Sequence, residues 1–457
     1  MQITTRDCPP RTVWALEQAG VHPLLARLFA ARGVQAPEEL DDNLIKLLSP
    51  NTLKGIDEAA QILVEAIEQQ AHICIVADYD CDGATACAVG IRGLRLLGSK
   101  NAHYLVPDRV ADGYGLTPGI ASRVKASGAA VLVTVDNGIA SFEGVEKAHE
   151  LGMKVVVTDH HLPAMRDGIV AVPDADAIVN PNQPGCDFAS KTIAGVGVMF
   201  DVLLRMRALM RDAGVFDATT QPKLDHLLPL VALGTVADVV SLDANNRRLV
   251  AQGLRRIRAG LLPVGMSALF QIAGRQPQVA NTADFGFALG PRLNAAGRLA
   301  DMTLGIECLV TDDLSRATEL AQSLDRINRE RKTIEGHMRD QALALAEDML
   351  DSDAHIPAAI CIFDPDFHEG VVGIVASRLK DKWHRPTFVF AMSQGDDTGD
   401  TLKGSGRSIP GFHLRDALDL VAKRHPGVLL RFGGHAMAAG LTINPDNFEL
   451  FKNAFTE

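Results

Sequence analysis

Between residue 56 and about residue 180 the apolar positions follow two periods in turn. Ile56, Ala59, Ala60, Leu63, Ala66 and Ile67 recur at helical spacing, and the unbroken run Ile73-Cys74-Ile75-Val76-Ala77 then has the length and β-branching of a buried strand. The cycle repeats, with a helix expected over Ala84 to Leu97, a strand over Ala102 to Val106, a strand over Val131 to Val135, a helix over Phe142 to Leu151 and a strand over Lys154 to Thr158. Helices alternating with wholly apolar strands predict an α/β fold whose parallel sheet is covered on both faces.

Further on the pattern changes. Asp312 to Leu350 holds one Gly and no Pro, and Leu314, Ala317, Leu320, Ala321, Leu324, Ile327, Ile334 and Met338 keep helical spacing. A continuous helix there would span roughly 58 Å, the length of a connector between domains. Ala358 to Phe363 and Thr387 to Phe390 then resume as strands, so a second α/β domain is expected over 354–457. A helical, Pro-punctuated extension of 1–55, a first domain of 56–311 and a connecting helix of 312–350 complete the division. A chain of 457 residues is long enough for two or three domains.

Composition narrows the class. No run nears the roughly 18 apolar residues of a membrane span, and the first 14 residues lack the apolar core of a secretory signal, which points to the cytoplasm. The seven cysteines contain no Cys-x-x-Cys pair, which argues against a disulfide framework and a zinc ribbon and for reduced thiols, several in the core. A net charge of -11 is unusual for a protein that binds phosphates, but acids neutralised by bound metal would not count against it. The basic runs Arg255-Arg256-Ile257-Arg258 and Arg326 to Lys332 read as solvated helix faces.

The candidate chemistry lies where the strands end. Asp78, Asp80 and Asp82 follow the first strand, Asp136 the third, and Asp159-His160-His161 the fourth. Crowded carboxylates repel one another and are costly to desolvate unless a cation sits among them. Any one of these aspartates could instead cap a helix. Their arrival together at the carboxyl edge of one sheet, where open α/β folds bind ligands, favours a metal centre of Mn or Mg type. Asp238, in the apolar run Leu227 to Leu242, needs a partner for a buried charge, whether a metal or an arginine.

Two stretches suit anions. Gly290-Pro291-Arg292-Leu293-Asn294-Ala295-Ala296-Gly297-Arg298 joins two guanidinium groups to what reads as a flexible backbone, and Lys403-Gly404-Ser405-Gly406-Arg407-Ser408 offers backbone N–H groups with Ser405 and Arg407 as added donors. Either stretch alone could be a turn. Gly433 to Gly440 reads as a third Gly-rich turn, and Tyr114, between Gly113 and Gly115, could stack on a base or close a loop.

Six motifs in this order carry a resemblance: Asp78-Tyr79-Asp80-Cys81-Asp82-Gly83, Val135-Asp136-Asn137-Gly138, Thr158-Asp159-His160-His161, Gly234-Thr235-Val236-Ala237-Asp238, Gly290 to Arg298, and Gly433-Gly434-His435. From about Ile56 to Leu441 the chain resembles the DHH phosphoesterases, and among them the bacterial exonucleases specific for single-stranded DNA. The resemblance implies a parallel-sheet DHH domain, a long helix and a smaller α/β DHHA1 domain with a cleft between the domains. It implies two Mn2+ or Mg2+ ions held by Asp80, Asp82, Asp136, His160 and Asp238, with Asp136 bridging and Asp78 completing one site.

In the same comparison His161 stands by the scissile phosphate, Asp159 orients the histidines, and Arg292 and Arg298 contact DNA phosphates, with Asn294 and Tyr114 in the substrate set. Ser405 and Arg407 match a phosphate pocket, with Gly434 and His435 beside the cleft. The implied activity is metal-dependent 5′-to-3′ hydrolysis of single-stranded DNA to mononucleotides, in repair and recombination. A free 5′ end is the substrate, a single-strand-binding protein or a helicase a candidate partner, and the chain a monomer away from membranes. Members of the family continue into an OB-fold, so a chain stopping at Glu457 is expected to be a short natural form or a truncated core. The rivals are cleavage of short oligoribonucleotides or a cyclic dinucleotide, and a metal-free replication scaffold, which would have no use for so many acids.

Overall fold

The ends of three neighbouring strands determine where the acids go. The protein is described as a computed structural model over residues 5–108, 112–166, 169–352, 357–393 and 401–457. It divides into two units, 1–297 with 301–325, and 298–300 with 326–457. In the first unit the strands are β1 (Ile73–Ala77), β2 (Ala102–Leu105), β3 (Val131–Val135), β4 (Lys154–Thr158), β5 (Ala164–Arg166), β6 (Ile169–Ala171) and β7 (Ala177–Val179). β5 and β6 form a separate antiparallel hairpin, and the others make one sheet in the order β2-β1-β3-β4-β7, parallel throughout.

Register then does the aligning. Ala77 stands opposite Val135, and Val135 opposite Thr158, so the next residues, Asp78, Asp136 and Asp159, leave the sheet side by side. The N–H of each still donates to the last carbonyl of the neighbouring strand, at 3.3, 3.0 and 3.1 Å. Within the apolar run of β1 the side chains alternate. Cys74 and Val76 pack with Leu116, Ile120, Val124 and Val145 on one face. Ile73, Ile75 and Ala77 join the helices of the other face in the larger core. The expected α/β alternation is therefore present, including the strand over Ala102 to Leu105.

One helix begins earlier than its apolar spacing suggests. It runs over Cys81–Leu96 because Asp80 caps it, Oδ1 accepting from the Gly83 N–H at 3.0 Å. The apolar run around Asp238 is a helix, Leu228–Ala237, buried from Leu228 to Thr235, with Asp238 at its C-terminal end. The long helix is a single element, Leu314–Ser352.

In the second unit β8 (Ile360–Phe363), β9 (Thr387–Met392), β10 (Leu402–Arg407), β11 (Arg431–Gly434) and β12 (Ala438–Ile443) form a mixed sheet in the order β11-β12-β10-β9-β8. The stretch around Ser405, read as a turn, is thus the central strand β10. Its glycines make room for packing instead of bending the chain: a Cβ on Gly404 or Gly406 would run into the Phe390 or Phe388 ring. The Gly433 to Gly440 stretch is likewise two strands, with its turn confined to the residues between β11 and β12.

The Arg255 to Arg258 run has a structural use. Arg255 pairs with Asp42 at 2.7 Å, Arg256 with Asp225 at 2.8 Å, and Arg258 donates to the Ala280 carbonyl. Arg247 and Arg248 reach Glu39 and the carbonyls of Glu38 and Asp41, so this helix holds the acidic segment of the N-terminal extension. All seven cysteines are free thiols and six are buried. No helix among the described residues is long and apolar enough to cross a membrane.

Candidate metal centre

Asp136 is the centre of the site. It sits at φ 62, in the left-handed region that Asp tolerates better than most residues, immediately after β3. Asn137 fastens this turn by donating from Nδ2 to the carbonyls of Val76 and Val135 at 3.1 and 2.9 Å, tying the ends of β1 and β3 together. Gly195 closes over it from the start of the Gly195–Asp212 helix: a Cβ there would lie 2.6 Å from Asp136 Oδ1.

Around Asp136 the ligand atoms fall into adjoining groups. Asp78, Asp80 and Asp136 form one, Asp82, His160 and Asp238 another, and Asp136, His160 and His161 a third, the atoms of each lying within 4.8 Å of one another. His160 Nε2 is 3.1 Å from Asp136 Oδ1, 3.6 Å from Asp238 Oδ2 and 4.0 Å from Asp82 Oδ2. Asp82 also accepts the Gly195 and Val196 N–H groups at 2.6 and 3.0 Å, so a helix N-terminus steadies its charge. Cap and ligand are thus compatible roles for Asp80 and Asp82.

The electrostatics fit a cation. Asp136 Oδ1 and His160 Nε2 are buried and have no hydrogen-bond partner, which is costly unless something positive binds them. Burial, then the charge of Asp82, pushes the Asp136 carboxyl well up; burial, then Asp238, does the same to Asp82. Asp238 is raised to about 6 by burial and by Asp80. Burial and neighbouring His161 lower His160 to about 4, leaving a neutral imidazole with a lone pair to give. Carboxylates and imidazole without thiolate suit Mn2+ or Mg2+. The Cys81 thiol, pushed well up by burial and by the flanking acids, stays protonated.

Asp159 differs from its neighbours. Oδ1 accepts from the N–H groups of His160 and His161 and lies 2.7 Å from His161 Nδ1, while Oδ2 accepts from the Ile139 N–H at 2.9 Å. Burial opposes its ionisation, but these bonds hold it below the usual carboxylate range. Burial also opposes the charge on His161, and the bond to Asp159 overcomes it, raising the imidazole to about 9. Asn180 and Asn182 hold the backbone carbonyls of His161 and His160 at 3.0 and 2.6 Å. Nothing local in the sequence points to these two asparagines or to Gly195, whose partners are far away along the chain.

The expected substrate residues scatter more widely. Tyr114, on a turn where Gly113 and Gly115 need φ of 80 and 72, meets Tyr79 and His161 edge to face, with ring centres 5.9 and 6.2 Å away. The stretch expected to be flexible around Arg292 is instead a helix, Gly290–Leu299, because its apolar side faces the core through Leu293, Ala295 and Ala296. There Asn294 Oδ1 accepts the Cys81 N–H at 2.7 Å, and Gly297 sits against the Tyr79 carbonyl, so the helix braces the Asp78 to Asp82 loop. Arg292 is paired with buried Asp325 at 2.9 Å, and Arg298 Nη1 is 3.4 Å from the Gly370 carbonyl.

In the second unit Ser405 and Arg407 meet at 3.1 Å on one face of β10. They lie against the start of the Val372–Trp383 helix, where a Cβ on Gly373 would come within 2.9 Å of both. A helix N-terminus joined by a guanidinium and a hydroxyl offers a set of donors suited to an anion. Gly434, at φ 139, and His435, whose N–H donates to the Ala438 carbonyl, shape the β11–β12 turn.

Known proteins match this architecture. Residues 72–235 match the DHH family, N-terminal domain, and 355–457 the DHHA1 domain. The single-stranded-DNA-specific exonuclease RecJ of Salmonella typhimurium is 50% identical over 96% of the chain and 75% of its own length. A crystal structure of exonuclease RecJ bound to manganese superposes with a TM-score of 0.74 at 33% identity, covering 90% of this chain and 95% of that one. RecJ from Thermus thermophilus in complex with Mg2+ gives 0.73 at 31% identity, over 98% of this chain and 58% of that one.

Proposed function

The chain belongs to the RecJ family of single-stranded-DNA-specific exonucleases, and from that membership we propose that it removes mononucleotides from the free 5′ end of a single strand. It is a phosphodiester hydrolase of DNA repair and recombination that works with Mn2+ or Mg2+. The observation that carries the assignment is a pair of adjoining ligand groups, Asp78-Asp80-Asp136 and Asp82-His160-Asp238, brought together where His160 Nε2 lies 3.1 Å from Asp136 Oδ1, the arrangement needed to hold two ions side by side.

Asp78, Asp80 and Asp136 would hold one ion, and Asp82, His160 and Asp238 the other, with Asp136 between them. When bound, the ions supply acidified water and stabilise charge on the phosphoryl oxygens. The protein's residues do the rest. His161, its Nδ1 engaged by Asp159, presents Nε2 to the phosphate and delivers a proton to the departing oxygen. Asp159 is a positioning residue, fixing the ring through Nδ1. Ser405 and Arg407, with the helix start beside Gly373, grip a terminal phosphate, and that grip explains why hydrolysis begins at an end. Arg298, His435 and Tyr114 attend the strand, whereas the buried pairing of Arg292 with Asp325 supports a bracing role for that arginine.

The functional limits we assign are 56–311 for catalysis, 312–350 for the connecting helix and 354–457 for phosphate recognition. A cytoplasmic location is supported by the seven free thiols. We also assign a monomer that works with a single-strand-binding protein or a helicase.

The test incubates the protein with Mn2+ and end-labelled strands, 5′-phosphorylated or blocked, beside duplex and short RNA, with Asp136→Ala as control. Nucleotide release from phosphorylated single strands alone is expected. Release only from blocked ends, preference for short RNA, or undiminished activity in Asp136→Ala would defeat the reading.

A further inference from the structure

Two exposed apolar side chains stand at backbone irregularities beside Asp238. Val239, 85% exposed, has φ 65 at the residue that ends the Leu228–Ala237 helix, a position where helices ordinarily place Gly. A β-branched residue there is strained, and this side chain gains no packing in return. The turn gives it no escape: Asn246 Nδ2 donates to the Ser241 carbonyl at 2.9 Å, and Thr192 Oγ1 donates to the same carbonyl at 3.0 Å.

Phe287, 82% exposed, lies in a π-helical turn, Phe285–Leu289, that runs directly into the helix carrying Asn294. This turn packs on the end of the Asp238 helix. A Cβ on Gly290 would be 3.2 Å from Ala237 Cβ, and one on Gly286 4.0 Å from Val236 Cγ1. A lone exposed Phe is ordinary, but irregular backbone that persists at a site commonly serves it, and here two such irregularities meet.

We propose that Phe287 and Val239 form an apolar shelf for one nucleobase of the bound single strand, adjoining the scissile phosphate. The inference rests on the placing of that phosphate at Asp136 and Asp238. A nucleotide held there carries its base a few ångströms to the side, and every base offers a π-face to an aromatic ring without regard to sequence. The shelf continues the substrate site already assigned, which favours a base over a protein partner.

The test measures KM and kcat on a set of single strands, each with one abasic position at increasing distance from the 5′ end. In the unaltered enzyme one position carries a KM penalty. Phe287→Ala raises KM on intact strands by between about fivefold and a hundredfold, the range of one lost base–aromatic contact. The change falls on KM more than on kcat, the abasic penalty disappears, and Phe287→Trp restores both.

Val239→Gly raises the unfolding midpoint by about 1–3 °C through relief of strain while it raises KM. An abasic penalty that persists undiminished in Phe287→Ala overturns the shelf. So does an unchanged KM joined to an altered oligomeric state, which would assign the pair to a second copy of the chain. If the placing of the phosphate were wrong, Asp238→Ala would retain turnover, an outcome separate from any change in the abasic penalty.

Discussion

Asp159 and Asp136 share the edge of one sheet, yet their surroundings divide their roles. Every oxygen of Asp159 is taken by a donor of the protein, whereas Asp136 Oδ1 is buried with none. Asp159→Asn should therefore lower kcat by about 100-fold or more while Mn2+ affinity changes by less than about threefold. Turnover beside calorimetric titration separates the two, and an equal loss of Mn2+ affinity would place Asp159 among the ligands. Asp201 is a second buried acid, outside the metal centre, raised by burial to about 8. Its folded value exceeds the unfolded one, so its contribution to stability is full below pH 4 and is lost as pH rises towards 8. Asp201→Asn should flatten that decline by several kcal/mol, since each pH unit between the unfolded and folded values is worth about 1.4 kcal/mol. Denaturation at pH 4 and pH 8 checks it; an unchanged difference between the two would mean that Asp201 finds a partner in solution. The sequence shows both acids but not which oxygens are occupied, because the donors to Asp159 include the N–H of Ile139, on a different strand end.

Elements hold the ligands by close approach. The Gly195–Asp212 helix touches Asp136 and donates its first N–H groups to Asp82, and the Gly290–Leu299 helix touches the Tyr79 carbonyl, each through a glycine at the contact. Gly195→Ala should cost about 1–3 kcal/mol by overpacking and weaken Mn2+ binding by about 10- to 100-fold. Gly336→Ala is the contrasting case: it lies in the long helix with open space around it and should stabilise by about 0.5–1 kcal/mol. Thermal unfolding and Mn2+ titration of both check the pair, and equal effects would remove the steric argument. Strands β1, β3 and β4 were legible from their apolar runs alone, as was the long helix. β10 was not, because its glycines read as turn formers and their reason, the rings of Phe388 and Phe390, lies on another strand. The Gly290–Leu299 helix was missed for a similar cause: Gly and Pro at its start argue against a helix until the π-helical turn before it is known.

For the whole molecule, a centre built of crowded acids should be unstable without its ions. At Mn2+ a hundredfold above Kd the folded state gains about 2.7 kcal/mol by mass action. Chelation should lower the unfolding midpoint, and hydrogen exchange should quicken first around Asp78 to Asp82 and Asp136. Asp136→Ala removes like-charge repulsion, so it should unfold at a higher temperature than the chelated protein and show no response to Mn2+. A Mn2+-induced rise as large as that of the unaltered protein would refute the shared-ligand role. Local pattern by itself determined the α/β alternation, the strand ends on which the acids ride, and the kinds of ligand present, since periodicity and residue chemistry are properties of short segments. Only the tertiary structure decided that Asp78, Asp136 and Asp159 lie abreast, that Asp159 is saturated while Asp136 is not, and that an exposed Phe287 stands beside the Asp238 helix. These are matters of strand register and of contacts between residues distant in the chain; for Asp159 the deciding donor is the Ile139 N–H, 20 positions away, since the donors from His160 and His161 fill only Oδ1.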